Sequence, residues 1–123
     1  MILGIGVDLC SISRIEKAIE SEHFVTRIFS PEEIEYSNKK GKRRCESFAA
    51  SFAAREAFCK ASGISLDYVM FGGNFSLSRN SEGKPEIILL SKEIKNKIPD
   101  TKIFVSITHE SDYACAMVVI EKI

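Results

Sequence analysis

Apolar residues alternate with glycine or polar residues at the start of the chain. This period of two predicts a half-buried strand over residues 2–9. Its apolar face consists of four aliphatic side chains: Leu3, Ile5, Val7 and Leu9. The other face carries no side chain before Asp8, because Gly4 and Gly6 occupy it. Another element can therefore approach the backbone closely on that face.

Two short helices are predicted in the first third of the chain. Ser13 and Glu16 have the spacing of a capping box, and a stripe of isoleucines predicts that this helix ends near Glu20. Ser30 is followed by a proline and two glutamates, which is typical of a helix start. We therefore predict a second helix over residues 31–38.

The longest helical candidate spans residues 45–62. It is rich in alanine, and Gly63 follows it as a C-cap residue. Residues spaced four apart form one ridge on this helix: Phe48, Phe52, Glu56 and Lys60. Since an aromatic row faces the core or a cleft rather than open water, its carboxylate and ammonium are candidates for a site.

The second half of the chain is dominated by strand patterns. The turn at residues 80–85 indicates a hairpin, and Ser91 begins a short polar helix that ends near Ile98. The predicted strands cover residues 74–78, 86–90, 102–108 and 113–121. Strands combined with segregated helices predict an α+β fold, in which an antiparallel sheet packs against the long central helix.

Composition supports one globular domain over residues 1–123. Of these residues 45% are hydrophobic, and 17 basic residues balance 17 acidic ones, which argues against a general nucleic-acid binder. The longest apolar run, Ala114–Ile120, is far shorter than the roughly 20 residues of a membrane span. Because a signal-peptide pattern is also missing, we expect a cytoplasmic protein. Its four scattered cysteines are expected to be reduced thiols.

Three charged residues suggest metal and phosphate chemistry. Asp8 and Glu56 come from separate elements and could hold Mg²⁺, which takes one or two protein carboxylates together with substrate phosphate. Each also has a plain explanation, as a turn aspartate or as the exposed partner of Lys60 in an i, i+4 pair. His109 is either an exposed turn residue or a phosphate or acid–base group.

A polyanionic substrate would also need positive charge. The basic segment 39–44 precedes the central helix, although a solvated charge run has the same composition. The candidate cations are Arg43, Arg44, Arg55, Lys60 and Lys84.

Five segments together have a specific pattern. They are Gly4–Asp8, Arg14–Ile15, Phe52–Gly63, Gly83–Pro85 and Ser106–His109. In order and spacing they resemble the 4′-phosphopantetheinyl transferase family, and within it the short bacterial holo-acyl-carrier-protein synthases. The resemblance covers Met1 to Glu121, and the long central segment is its most specific part.

The resemblance implies a reaction and an assembly. The implied reaction transfers the 4′-phosphopantetheine arm of coenzyme A to a serine of an apo acyl carrier protein and releases adenosine 3′,5′-bisphosphate. The implied cofactor is Mg²⁺, and the implied assembly is a homotrimer with each site between two subunits. A shared site agrees with the length of the chain, which leaves little room for an enclosed one.

The resemblance also implies roles for individual residues. Asp8 and Glu56 would bind Mg²⁺, Lys60 would contact the diphosphate of coenzyme A, and Arg14 would dock the acidic carrier protein. The other implied coenzyme A contacts are Gly83, Lys84, Pro85, Ser106, Thr108 and His109. Arg55 departs from the family, which usually has lysine there, but its charge would preserve a phosphate contact.

Some alternatives remain open from the sequence. Glu56 is the first candidate for the base that accepts the serine proton, and Glu33 and Glu35 are weaker ones. The chain could also be a non-catalytic module that binds coenzyme A or the carrier protein. The identity of the carrier, the tolerance for acylated coenzyme A and the choice between Mg²⁺ and Mn²⁺ are not determined by the sequence.

Overall fold

The computed structural model describes residues 1–71 and 73–123. Helices and strands follow the predicted order, with additional short elements. The strands are β1 (Ile2–Ser11), β2 (Phe75–Arg79), β3 (Pro85–Leu89), β4 (Thr101–His109) and β5 (Tyr113–Lys122). The helices are α1 (Ile12–Ala18), α2 (Glu22–Ile28), α3 (Pro31–Asn38), α4 (Arg44–Ser62), α5 (Leu66–Met70) and α6 (Lys92–Lys97), with a 3₁₀ turn at Gly41–Arg43.

The strands form two antiparallel sheets. The larger sheet has the order β1-β5-β4, and the hairpin β2-β3 forms the smaller one. In the larger sheet Asp8 lies opposite Ala116, which in turn lies opposite Ile107. One face of this sheet packs against α4, so the predicted α+β fold is confirmed.

Two glycines allow α4 to lie directly on β1. A Cβ atom at Gly4 would stand 1.8 Å from the carbonyl oxygen of Ala61, and one at Gly6 would stand 2.0 Å from that of Ala57. Real Cβ atoms do not approach backbone atoms so closely, so these positions require glycine. The predicted close approach to the bare face of β1 is confirmed, and it brings α4 beside Asp8.

The aliphatic face of β1 is not the one that faces the core. Its side chains are 51–65% exposed in the isolated chain, because the glycine face takes the contact with α4. Phe104 of β4 and Met117 of β5 add large apolar groups to the same surface. We call this surface the open sheet face; its large apolar residues are Leu3, Ile5, Val7, Leu9, Phe104 and Met117. A half-buried strand was predicted correctly, but the apolar side of the alternation is the exposed one.

The predicted helices agree well with the structure. Helix α3 has the expected capping box, in which Ser30 and Glu33 bond reciprocally, and α4 ends at Gly63 with φ +76°. Helix α1 begins two residues earlier than expected, because the capping residue is Ser11, not Ser13; the Ser11 hydroxyl accepts the backbone N–H of Arg14. Helices α2 and α5 were not predicted, since seven and five residues are too short for a clear periodic pattern.

Candidate active site

Three predicted residues meet where α4 crosses the end of β1. Lys60 Nζ donates a hydrogen bond to the carbonyl oxygen of Val7 at 2.9 Å and lies 3.4 Å from Asp8 Oδ1. The Asp8 side chain is only 11% exposed, whereas the Lys60 side chain is 56% exposed. Asp8, Glu56 and Lys60 therefore form one cluster, and Glu56 and Lys60 are not a solvated pair remote from Asp8.

The carboxyl groups of Asp8 and Glu56 line the same cleft, and Asp8 affects the pKa of Glu56. Burial raises the pKa of Glu56, and so do a hydrogen bond to Asp8 and the negative charge of Asp8. The charges of Lys60 and Arg14 act in the opposite direction on this pKa but do not cancel the effect. Two neighbouring carboxyl groups repel each other when both are charged, so a proton or a bound cation stabilises the pair.

A cleft of about 330 Å³ opens beside this carboxyl pair. Its lining includes the polar residues Asp8, Glu56 and Arg14 and the aromatic residues Phe24 of α2 and Phe52 of α4. The rings of Phe24 and Phe52 are stacked with their centroids 6.4 Å apart. We call this the carboxylate cleft; its remaining lining residues are Leu9, Cys10, Ser11, Ile15 and Ala18.

The donor set of the carboxylate cleft fits Mg²⁺. It offers two hard carboxylate groups from different elements and leaves open space for water and phosphate, as Mg²⁺ sites do. Within residues 1–71 and 73–123, no group of three or more histidine, cysteine, aspartate or glutamate side chains is placed to hold a metal. The site is therefore unlike a closed structural zinc centre.

A second cleft, of about 90 Å³, is rich in cations. His109 stands at the end of β4, with its Nε2 atom 3.3 Å from Arg43 Nη2 and its Nδ1 atom 3.7 Å from Glu46 Oε2. We call this the basic cleft; it is lined by Tyr36, Lys40, Arg43, Glu46, Ser47, Ala50, Arg79, Ile107 and His109. His109 and Arg43, two residues singled out in the sequence, are thus brought together.

The positive charge of the basic cleft lowers the pKa of Tyr36. Burial alone would raise its pKa, but a hydrogen bond with Lys40 and the charges of Arg79 and Lys40 outweigh burial and lower it. Lys40 Nζ lies 4.5 Å and Arg79 Cζ 4.8 Å from the centroid of the Tyr36 ring. A negative charge is therefore favoured at this position.

Arg55 is not the phosphate contact expected from its position in the motif. Its side chain is 1% exposed, and Nη1 donates to Glu33 Oε2 at 2.6 Å. Nη2 donates to Glu33 Oε1 and to the carbonyl oxygen of Phe75. The helical phase explains this result, because successive residues on α4 point about 100° apart and Glu56 already faces the cleft.

The same ion pair removes Glu33 as a candidate base. Both of its carboxylate oxygens accept hydrogen bonds from Arg55, and they also accept the backbone N–H groups of Ser30 and Leu77. Glu35 lies on the exposed side of α3, with Lys39 Nζ 3.1 Å from its Oε1. Of the three candidate bases, Glu56 is the one that lines the carboxylate cleft.

The remaining predicted contacts lie apart from the carboxylate cleft in the isolated chain. Ser106 and Thr108 are both exposed on β4, on the sheet face opposite to Asp8. Gly83 and Lys84 are exposed in the β2–β3 turn, and Pro85 begins β3. One chain by itself does not bring these groups to Asp8 and Glu56.

Several lining residues were not recognised from the sequence. Phe24 belongs to the unpredicted helix α2, and Tyr36 and Arg79 come from separate elements that meet only in the fold. The tyrosine follows the capping box of α3 by one helical turn, on a helix that also leads into the basic segment. This position beside the basic segment was the one feature of the sequence that could have identified Tyr36 as a lining residue.

The chain is similar to proteins of one known family. The chain matches the family model of the 4′-phosphopantetheinyl transferase superfamily over residues 4–118. The holo-[acyl-carrier-protein] synthase of Geotalea daltonii is 37% identical over 99% of this chain and 100% of that protein. The corresponding synthase of Neisseria meningitidis has a solved structure with a TM-score of 0.87 and 32% identity, covering 99% of this chain and 100% of that one.

A ligand complex is found among the similar structures. The holo-(acyl-carrier-protein) synthase of Bacillus anthracis, solved in complex with CoA (3′,5′-ADP), has a TM-score of 0.83 and 31% identity, covering 100% of this chain and 99% of that one. The family match and the full-length relatives cover both clefts and all five sequence segments. The chain therefore belongs to the 4′-phosphopantetheinyl transferase superfamily.

Proposed function

We propose that this chain transfers 4′-phosphopantetheine from coenzyme A to a serine of an apo acyl carrier protein in a Mg²⁺-dependent reaction. Adenosine 3′,5′-bisphosphate is the second product. The observation that carries the proposal is the cluster in which Lys60 lies 3.4 Å from Asp8 Oδ1 while Asp8 and Glu56 line one cleft. The synthases to which the chain is similar, one of them solved with CoA, supply the reaction class.

Asp8 and Glu56 are the proposed ligands of Mg²⁺. When bound, the metal supplies positive charge that offsets the charge on the phosphates. Lys60 presents an exposed ammonium group at the same cluster and is the proposed contact to the diphosphate. Together these residues would position the diphosphate for in-line attack, and such positioning accounts for much of the catalysis of phosphoryl transfer.

Glu56 is also the proposed acceptor of the serine proton. It lines the carboxylate cleft, whereas Glu33 is held in the core by Arg55 and Glu35 is paired with Lys39 on the surface. A base must reach the hydroxyl that it deprotonates, so position favours Glu56 among these three glutamates.

The basic cleft is the proposed site for the remaining phosphate of coenzyme A. It combines guanidinium, ammonium and imidazole groups from several elements around Tyr36. Guanidinium groups suit phosphate because they donate two parallel hydrogen bonds. The exposed turn with Gly83, Lys84 and Pro85 remains the proposed neighbour of the adenosine.

A homotrimer is part of the proposal, with each active site formed by two subunits. The carboxylate cleft and the basic cleft share no lining residue among those that the structure describes. The open sheet face exposes aliphatic groups such as Val7 on the sheet that also carries Ser106 and Thr108. A second copy packed on that face would cover the apolar surface and add Ser106, Thr108 and His109 to a neighbouring carboxylate cleft.

The acidic carrier protein is proposed to dock at the carboxylate cleft through Arg14. This arginine is exposed on α1 and lines the cleft near Glu56. The stacked rings of Phe24 and Phe52 add an apolar surface beside it. A basic group next to an apolar wall suits an acidic protein with a partly apolar helix.

A cytoplasmic location completes the proposal. All four cysteines are free thiols, as expected for a reducing compartment. In the part of the chain that the structure describes, the helices are too short or too polar to cross a membrane.

Intact-protein mass spectrometry tests the reaction. A purified apo acyl carrier protein is incubated with this protein, coenzyme A and Mg²⁺, and the expected result is a mass gain of one phosphopantetheine group. A chelator and the variant Glu56→Gln, whose melting temperature is expected to stay near that of the wild type, should each abolish the gain. Measurable coenzyme A binding without any gain on several carriers would favour a non-catalytic binding module.

A further inference from the structure

Lys60 lies against Oδ1, one of the two carboxylate oxygens that Asp8 could offer to a metal. Its ammonium group donates to the carbonyl oxygen of Val7 at 2.9 Å and stands 3.4 Å from Asp8 Oδ1. The bond to Val7 fixes the ammonium beside β1, next to the carboxyl group of Asp8. The side chain is nevertheless 56% exposed, so it can leave this position without unpacking the core.

An ammonium and a divalent cation cannot both sit against Asp8 without repulsion. Glu56 and Asp8 are the only carboxyl groups that line this cleft among the described residues, and both interact with Lys60. Arg14 adds a second positive charge near Glu56. A metal that enters the cleft therefore meets cations that already partly neutralise its ligands.

We propose that Lys60 is an internal counter-ion that competes with the divalent metal for Asp8 and lowers its affinity for the free protein. This inference rests on the proposed function, since it takes Asp8 as a metal ligand. A polyphosphate bound at the cleft offers Lys60 a better partner and draws the ammonium away from Asp8. By linkage, phosphate binding then strengthens metal binding, and metal binding strengthens phosphate binding.

Direct titration of the free protein with Mn²⁺ tests this competition without coenzyme A or turnover. Unbound Mn²⁺ is measured by electron paramagnetic resonance at low ionic strength. Lys60→Met removes the charge but keeps an unbranched side chain, and it should bind Mn²⁺ roughly fivefold more tightly than the wild type. Because salt screens the competing charge, the difference should shrink as the salt concentration rises.

Two further variants serve as controls. Lys60→Arg keeps the charge and should stay within about twofold of the wild type, whereas Lys92→Met removes an exposed charge on α6 and should change nothing. Glu56→Gln should lose Mn²⁺ binding, which assigns the titrated site to the carboxylate cleft. Melting temperatures are measured for every variant, and Lys60→Gln replaces Lys60→Met if the latter is unfolded.

The outcomes separate this inference from the proposed function. Suppose that the wild type binds Mn²⁺ and Glu56→Gln does not. If Lys60→Met then binds Mn²⁺ no more tightly than the wild type, the counter-ion role is overturned and the metal site stays intact. Absence of Mn²⁺ binding in both the wild type and Lys60→Met would overturn the metal site and the counter-ion role together. Tighter binding in Lys60→Met, with Lys92→Met unchanged, is the result that we expect.

Discussion

Arg55 and Glu33 form a two-pronged ion pair inside the core. Each terminal nitrogen of the guanidinium donates to one carboxylate oxygen, and both side chains are at most 1% exposed. The guanidinium also packs against two aromatic rings, with Cζ 5.3 Å from the centroid of Phe29 and 4.9 Å from that of Phe75. The pair ties α3 and α4 to β2, and these elements contribute to the walls of the basic cleft.

Arg55→Lys should destabilise the protein although it preserves the charge. A lysine cannot donate to both oxygens of Glu33 and to the carbonyl oxygens of Ser51 and Phe75, so we expect a loss of about 2 kcal/mol in the free energy of unfolding. Glu33→Gln leaves the guanidinium unpaired in the core and should cost about 3–5 kcal/mol. Urea denaturation measures both losses.

The exposed pair of Arg43 and Glu46 supplies the control. Arg43→Lys should change the free energy of unfolding by less than about 0.5 kcal/mol, because the Arg43 side chain is 65% exposed. An Arg55→Lys variant as stable as the wild type would contradict the buried, two-pronged geometry.

Gly6→Ala should disrupt the contact between β1 and α4. The added methyl group would stand 2.0 Å from the carbonyl oxygen of Ala57, and two backbone segments cannot yield as a flexible side chain can. We expect a loss of about 3 kcal/mol or more in the free energy of unfolding, or no folded protein. Urea denaturation checks this loss.

Gly41→Ala is the matched glycine control. Gly41 has φ +56°, and a Cβ atom there meets no heavy atom of the described residues within 4 Å. The cost should be about 1 kcal/mol, which reflects backbone conformation alone. Similar losses for the two variants would show that the close approach at Gly6 is not what limits stability.

Arg14→Glu should weaken binding of an apo acyl carrier protein. Reversal of the charge at the edge of the carboxylate cleft turns attraction into repulsion, so we expect about tenfold weaker binding at low salt and a smaller difference at high salt. Calorimetric titration at two salt concentrations provides the measurement.

Lys17→Glu makes the same charge reversal one helical turn away on α1 and outside the lining of the cleft. It should affect carrier binding much less than Arg14→Glu does. If Arg14→Glu changed only the turnover at saturating carrier, the docking role of Arg14 would be wrong.

Cys59 should be unreactive in the folded protein. Burial, together with the negative charge of Glu56, raises the pKa of its thiol to about 11. At pH 8 only about one thiol in a thousand is then the reactive thiolate, so alkylation should be roughly a hundredfold slower than for an exposed cysteine. The rate should rise with pH up to the raised pKa, because deprotonation precedes attack.

Alkylation by iodoacetamide followed by peptide mass spectrometry measures this rate. The urea-unfolded protein is the control, and its Cys59 should react at the rate of an ordinary thiol. Rapid alkylation of Cys59 at pH 8 in the native protein would contradict the burial of the thiol.

The sequence alone determined the local elements with strong chemical signatures. The cap formed by Ser30 and Glu33 and the stop at Gly63 depend on a few neighbouring residues, so α3 and α4 were predicted almost to the residue. The four-residue spacing of Glu56 and Lys60 is enough to place them on one side of α4. Asp8 was linked to Glu56 as a possible second carboxylate ligand of Mg²⁺ and by the resemblance between motifs, but no local pattern placed it beside α4.

Only the tertiary structure decided which faces of these elements meet. Alternation in β1 defined an aliphatic face and a bare face, but it did not determine which face packs against the core. The bare face packs, because the backbone of α4 occupies the space left by Gly4 and Gly6. Helical phase turned Arg55 away from Glu56 and toward Glu33, which is 22 residues distant in the chain. Such pairings depend on groups far apart in sequence, whereas caps and periodicity depend on neighbours, and this is the physical reason for the division.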